Sequence, residues 1–527
     1  MLRTRFLVVG ALVVVFVAAL VLAITLSWWW LFLAIPFGIV AAVGVYDLVQ
    51  TKHSILRNYP VLGHFRYALE SIRPELLQYF VEQDREGEPF DRNARSLIYE
   101  RAKNVNQEQP FGTEEDLYAV GAEWLLHSAA PNEAPDEPHT VTLGGPQCSQ
   151  PYEMALMNVS AMSFGALSAN AITALSRGAA KGGFAHDTGE GGLSKYHLDG
   201  GGDLVWEIGS GYFGCRTDDG GFDEGTFREK AAHENVKCIS IKLSQGAKPG
   251  IGGVMPAAKM TQEIAEARGV PAGEKCVSPP AHSAFSGPTG LLEFVQRLRD
   301  LSGGKPTGFK LCVGSRRDVL AICKAIIETG IHPDFIIVDG SEGGTGAAPL
   351  EFEDHMGTPL TEGLVIMRDA LVGAGLKEHI KIGASGKVSS GADIVKRIAQ
   401  GADYTNSARA MMMAVGCIQA QRCQTNKCPV GVATQDPKRM RALNVPDKAE
   451  RVHSFQRETI TSANRLIAAM GLESPSELTR SHLSVRVDPY TVKTFETLHP
   501  SMRPGQLLDD PPEDWVDDWN AASASHF

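Results

Sequence analysis

Two apolar runs open the chain. Residues 6–26 carry no charge and neither do residues 28–46, so each is long enough to cross a bilayer as a helix of about 20 residues. Ser27 and the tryptophans Trp28, Trp29 and Trp30 divide them, where a turn and an interfacial aromatic belt would fall. Arg3 and Arg5 precede the first run, and Lys52, His53, Arg57 and Arg66 follow the second. Positive charge at both outer ends predicts a membrane hairpin with both ends, and the rest of the chain, on the cytoplasmic side. A signal peptide is the alternative for the first run, although that run is long for one and a second follows at once.

Beyond the hairpin the periodicity changes twice. Residues 54–135 read as amphipathic helical material with polar breaks at 85–89 and 107–112, ending at Pro131, Pro135 and Pro138. From residue 154 onward, short apolar runs alternate with helical periods. The expected strands are 154–162, 184–188, 204–208, 238–243, 309–313, 335–339, 380–384 and 402–406. Expected helices between them include 169–181, 226–234, 291–301, 317–328, 364–372 and 392–399. Eight strands, each followed by glycine-rich sequence and most then by a helix, predict the α/β class and a (β/α)8 TIM barrel. The division is then 1–50 for the transmembrane hairpin and 51–150 for a helical connecting region. The barrel takes 151–435, and a C-terminal helical region with an acidic, tryptophan-bearing tail takes 436–527.

Composition narrows the function classes. With 43% hydrophobic and 21% charged residues the chain can build a core, so bulk disorder is excluded. The net charge of −11, without any basic block, argues against nucleic acid as a partner. Nine cysteines scattered over 527 residues do not make a secreted disulfide framework.

Chemistry concentrates where barrel strands end, since active sites of this architecture are built from the loops at the carboxyl ends of the strands. After strand four run Lys242, Gln245, Gly246, Lys248, Gly250, Gly252 and Gly253, two lysines six apart on a flexible loop. After strand six come Gly340, Gly343, Gly344 and Gly346, and after strand seven Ser385, Gly386 and Lys387. Glycines leave backbone amides free to approach phosphate oxygens, although a single such loop is also what an ordinary tight turn looks like. Directly after strand eight lie Cys417, Cys423 and Cys428. Three thiols within twelve residues and no nearby histidine favour an iron–sulfur cluster over zinc, which takes four ligands in structural sites. A 3Fe-4S cluster needs no distant fourth ligand; buried inert cysteines are the remaining alternative.

The stretches 241–253, Pro279-Pro280-Ala281-His282, 339–349 and above all 416–435, ending Cys428-Pro429-Val430-Gly431-Val432-Ala433-Thr434-Gln435, closely resemble the FMN-binding synthase domain of glutamate synthases. The resemblance covers roughly residues 150–435. It implies a barrel holding FMN beside a 3Fe-4S cluster on Cys417, Cys423 and Cys428. By similarity the flavin reduces 2-iminoglutarate, formed from 2-oxoglutarate and ammonia, to L-glutamate. The same match makes Lys242 and Lys248 the anion and flavin contacts, and Glu190, in Thr188-Gly189-Glu190-Gly191-Gly192, the acid/base candidate, with Glu190 and Lys248 as the catalytic pair. The remaining flavin contacts it implies are Met162, Ser163, Gly165, Gln245, Gly343, Gly344, Gly346, Ser385, Gly386, Asn406 and Ser407. The alternatives from residue type alone are a solvated lysine pair, a loop glutamate held by amides, and a tight turn capped by Ser168.

The chain departs from the family pattern in three places. Ile251 and Val254 stand where a glutamate and a glutamine are usual, Ser385 replaces an aspartate, and Lys387 replaces a glycine. The apolar pair supports a competing reading in which a different amino or imino acid is the substrate. A further alternative is a membrane-tethered electron-relay subunit without turnover. No amino-terminal glutamine-hydrolysing domain is expected, nor a dinucleotide-binding unit with its glycine fingerprint. The expected partners are therefore a small 2-oxo or amino acid, a separate electron donor of ferredoxin or reductase type, and membrane lipid.

Overall fold

The computed structural model describes residues 2–105 and 108–527, which fall into two compact units, Met1–Arg92 and Asn93–Phe527. In the first unit, α1 (Leu2–Thr25) and α2 (Leu31–Val49) are joined by a tight turn over Trp28–Trp30. Small residues let the helices close on each other: a Cβ added at Gly38 would stand 2.8 Å from the Phe16 ring, and one at Gly44 3.0 Å from Val9. Pairing 9 with 44 and 16 with 38 makes them antiparallel. Away from that seam the apolar side chains face outward, Leu7 and Val14 each 67% exposed. Both helices are long and apolar enough to cross a membrane by length and composition. A short helix, Ser54–Asn58, then leads to α3 (Gly63–Leu76), which runs into a wider turn at Leu77–Val81.

In the second unit eight parallel strands close into a barrel in chain order. They are β1 (Met157–Val159), β2 (His186–Asp187), β3 (Leu204–Ile208), β4 (Val236–Lys242), β5 (Thr307–Leu311), β6 (Phe335–Asp339), β7 (Lys381–Ser385) and β8 (Tyr404–Ser407). The last strand returns to the first, Thr405 opposite Met157 and Ser407 opposite Val159. Strand alternation sorts the side chains. On β3, Leu204, Trp206 and Ile208 enter the apolar layer under the helices, whereas Val205 joins Phe335, Ile337 and Tyr404 inside the barrel. An antiparallel hairpin, Thr140–Leu143 with Tyr152–Ala155, supplies Leu143 and Met154 to that interior cluster. The expected (β/α)8 barrel is therefore what the chain forms.

The differences from expectation have local causes. The run expected as one strand over 154–162 is split: its start belongs to the hairpin, and only Met157–Val159 enters the barrel. Three helices begin earlier than the apolar period implies, because capping residues precede the period. Asp223 accepts from the Thr226 amide at 2.6 Å, so that helix starts at Glu224. Pro288 sits in the first turn of Gly287–Leu301, and Pro359 precedes Leu360–Gly373. The connecting region is not wholly helical: Glu123–Leu125 pairs with Leu483–Arg486, which pairs with Val492–Thr494. The acidic tail is docked, with Trp515 under the Arg316 guanidinium at 4.6 Å and Asp518 bonded to it at 2.7 Å.

Candidate functional site

Barrel closure brings the expected site residues to one rim, the carboxyl ends of the strands. There Glu190, just past β2, meets the loop after β4. The Lys242 ammonium stands 3.2 Å from Glu190 Oε1 and donates to Gln245 Oε1 at 2.6 Å. Ser278 Oγ donates to Glu190 Oε2 at 3.4 Å. Two glycines make the room: a Cβ at Gly209 would lie 2.8 Å from Glu190 Cβ, and one at Gly253 only 2.1 Å from its Oε1. Lys248 is 3% exposed. Burial alone would push the Glu190 carboxyl up, but Lys242, Lys248 and Arg268 pull it down to about 2. Glu190 is thus an ionised group at neutral pH with no proton to donate, and a weak base for as long as the three cations face it. Burial in turn holds the Lys248 ammonium below its ordinary value, with Glu190 opposing.

His282 fixes the base of this loop. Its Nε2 lies 2.9 Å from the Lys242 carbonyl and its Nδ1 3.2 Å from the Tyr212 hydroxyl. A carbonyl can only accept, so Nε2 carries a proton and donates it, and burial lowers the imidazole below its ordinary value. The β4 loop is also clamped to the β6 loop. The Gly246 amide donates to Asp339 Oδ2 at 2.7 Å, and a Cβ at Gly246 would fall 1.7 Å from the Gly340 carbonyl oxygen.

The other expected residues line the same rim. Met162 is buried, its amide bonded to the Asp187 carbonyl at 3.2 Å. Ser163 packs against the β2 loop, where a Cβ at Gly191 would meet its side chain at 2.7 Å. Gly165 has φ 102°, so only glycine takes this turn without strain. Gly343, Gly344 and Gly346 follow β6 with the Arg409 side chain against Gly344, and Arg409 donates to the Glu342 carbonyl at 2.6 Å. Ser385 Oγ is 3.3 Å from Ser160 Oγ, next to Gly386; Asn406 is buried, and Ser407 Oγ donates to the Val388 carbonyl at 2.7 Å.

The three-cysteine segment lies on this rim too. The Cys423 Cβ is the nearest atom, at 4.0 Å, to a Cβ built on Gly346. Gln435 straps the segment to the β1 loop, donating to the carbonyls of Gly165 at 3.0 Å and Leu167 at 2.8 Å. Burial pushes the Cys417 thiol up to about 12, with Cys423 and Cys428 adding to the effect, so the three sulfurs feel one another. Among the described residues no group of His, Cys, Asp or Glu closes around a single metal ion. The Lys259 ammonium stands close by, lowered to about 8 by burial while Cys423 and Cys428 act to raise it.

Sequence reasoning missed a buried charge network inside the barrel beneath this rim. Lys310 of β5 pairs with Glu207 of β3, and Asp187 at the end of β2 completes the group. Burial, then Glu207, push the Asp187 carboxyl up to about 7 against the pull of Lys310. Asp187 also accepts from the Gly189 amide at 2.9 Å, which sets the turn that carries Glu190. The signal was present as charged residues interrupting otherwise apolar strands. A cavity of 780 Å³ at the opposite end, lined by Tyr152, Asp203, Lys237 and Lys305 among others, contains none of the candidate residues.

Residues 139–473 match a family described as the conserved region in glutamate synthase. The chain is 37% identical over 508 residues to the glutamate synthase large subunit-like protein YerD of Bacillus subtilis, covering 88% of this chain and 96% of that one. It is 32% identical over 328 residues to the archaeal-type glutamate synthase (NADPH) of Thermotoga neapolitana, covering 62% of this chain and 61% of the relative. To the archaeal glutamate synthase (NADPH) of Methanocaldococcus jannaschii it is 33% identical over 338 residues, covering 64% and 63%. The chain thus spans less than two thirds of these last two relatives.

Proposed function

The chain belongs to the glutamate synthase family, oxidoreductases acting on CH–NH2 groups, and from that premise we propose that it is a membrane-anchored FMN and iron–sulfur enzyme. In this reading it aminates 2-oxoglutarate reductively, by way of 2-iminoglutarate, to L-glutamate. The observation that carries the reading is the set of Lys242, Lys248 and Arg268 around ionised Glu190 at the barrel mouth. Such a pocket suits a small dicarboxylate, because each carboxylate meets a cation already desolvated by the fold.

The donor set suits FMN. The Gly343–Gly346 backbone, flanked by Arg409, offers amides and a guanidinium for a phosphate. Lys242 and Gln245 would face the flavin ring from the β4 loop, with Ser163, Ser385, Gly386, Asn406 and Ser407 around it. Cys417, Cys423 and Cys428 suit a 3Fe-4S cluster: thiols are the ligands such clusters take. In a multi-iron cluster each thiolate binds a different iron, so the ligands need not close on one point as they do around zinc. When bound, the flavin supplies a hydride to the imino carbon and the cluster supplies electrons.

The chain's own side chains hold and orient. Lys242 and Lys248 bind the substrate carboxylates. Those anions offset the cations that depress Glu190, so its carboxyl rises toward a value at which Oε1 can hold and return a proton. In this reading the electron donor is a separate protein of ferredoxin or reductase type. The apolar Ile251 and Val254 bracket Gly252 and Gly253, and a Cβ on Gly253 would meet the Glu190 carboxylate. This favours a second reading, in which the substrate is another 2-oxo or imino acid with a less polar side chain. Purified chain assayed with 2-oxoglutarate, ammonium and a reduced dye, with flavin, iron and sulfide counted in the same sample, tests both. Glutamate formation supports the first; cofactor-replete protein reducing only other 2-oxo acids supports the second. Protein lacking flavin and iron, or turning over neither, defeats both.

A further inference from the structure

Thirteen residues separate the end of α2 from the start of α3, and the position of α3 is fixed by Asp47, the charged side chain in the last turn of the apolar α2. Asp47 is wholly buried. It accepts from the Val61 amide at 2.9 Å, and His64 Nε2 stands 3.0 Å from both of its oxygens. Val61 has φ 67°, a conformation a β-branched residue adopts only when its surroundings impose it. The first turn of α3 is therefore clamped beside the last turn of α2. That is the level at which Asp47, Gln50 and Lys52 end the apolar run and the membrane–water boundary falls.

From that clamp an apolar stripe runs outward. Phe65, Leu69, Ile72, Leu76 and Phe80 recur at helical spacing, so the first four share an arc of about 60°, and they are 68%, 60%, 48%, 41% and 82% exposed. Arg66, Glu70 and Arg73 flank the stripe, Arg66 paired to Glu70 at 2.9 Å. We propose that this stripe is a lipid-docking surface, lying in the interface of the same bilayer that α1 and α2 cross. An exposed apolar face with charged flanks, held at that depth, is the form of a helix that lies in the headgroup region and does not span. The proposal rests on the membrane-anchored reading. It adds that the anchor is a hairpin plus a float.

The test places the photocrosslinker p-benzoylphenylalanine in turn at Val14, Phe65, Glu70 and Phe80 of the full chain. The chain is reconstituted in phosphatidylcholine vesicles containing phosphatidylglycerol, and adducts are identified by mass spectrometry. Lipid adducts at Val14, Phe65 and Phe80, several-fold above those at Glu70, are expected. Lipid at Val14 with protein adducts at Phe65 and Phe80 would assign the stripe to a second copy or another protein and overturn the proposal. Lipid at Val14 with no adduct at Phe65 and Phe80, or with equal labelling at Glu70, overturns it as well. No lipid at Val14 removes the membrane reading itself, and the proposal with it.

Discussion

Glu190 keeps its negative charge because three cations surround it. Replacing Lys248 with alanine removes one of them and, in the proposed reading, a partner for the substrate. The KM for the 2-oxo acid should rise about tenfold or more, equivalent to ~1.4 kcal/mol, and unchanged steady-state constants would refute the role. Asp187 makes a different statement, with its carboxyl pushed up to about 7. A group whose folded pKa lies above its unfolded value binds its proton more readily in the native state. Its contribution is complete below about pH 4 and drains away as pH rises to about 7. The wild type should therefore lose stability relative to Asp187→Asn across that window, roughly 4 kcal/mol. Urea unfolding at about pH 4 and pH 8 measures it, and parallel behaviour of the two proteins would contradict the assignment.

The loops act as fitted pieces, and their glycines show where. Gly253→Ala would drive a methyl into the Glu190 carboxylate, whereas Gly314, with nothing within 4 Å of a notional Cβ, accepts the same change freely. The first variant should lose about a hundredfold in kcat/KM with its melting temperature little changed, and Gly314→Ala should match the wild type; equal activity in both would dismiss the close approach. At this scale the sequence was most informative about strands. Buried parallel strands read as continuous apolar runs, which is why β3, β5 and β6 lie within two residues of expectation. It was least informative where polar residues do structural work. Glu207 and Lys310 interrupt their strands to pair with each other, and a linear pattern cannot say that two such interruptions meet. Helix starts slipped for a related reason, because caps such as Asp223 lie outside the apolar period. The helix Val445–Ala469 was legible only as helical. Its packing on Ala169–Gly182, with Gly178 against Val452, needed the fold.

At the scale of the whole chain, the division into two units makes a prediction about solubility. Removing residues 1–90 deletes both apolar helices and α3 while leaving the closed barrel and its apolar layer intact. The shortened protein should stay in the supernatant at high centrifugal force and melt within about 5 °C of the full chain, whereas the full chain should sediment with vesicles. Aggregation of the shortened form would mean that the first unit does more than anchor. The rim carries a second consequence of whole-molecule kind. Gln435 is a strut from the cysteine segment to the turn of Gly165 and Leu167. Oxygen attack on the sulfurs would not stay local, because a slackened strut frees the turn it braces. If the proposed flavin and cluster are bound, their yellow and brown should then fade together on standing in air as one event, not as two.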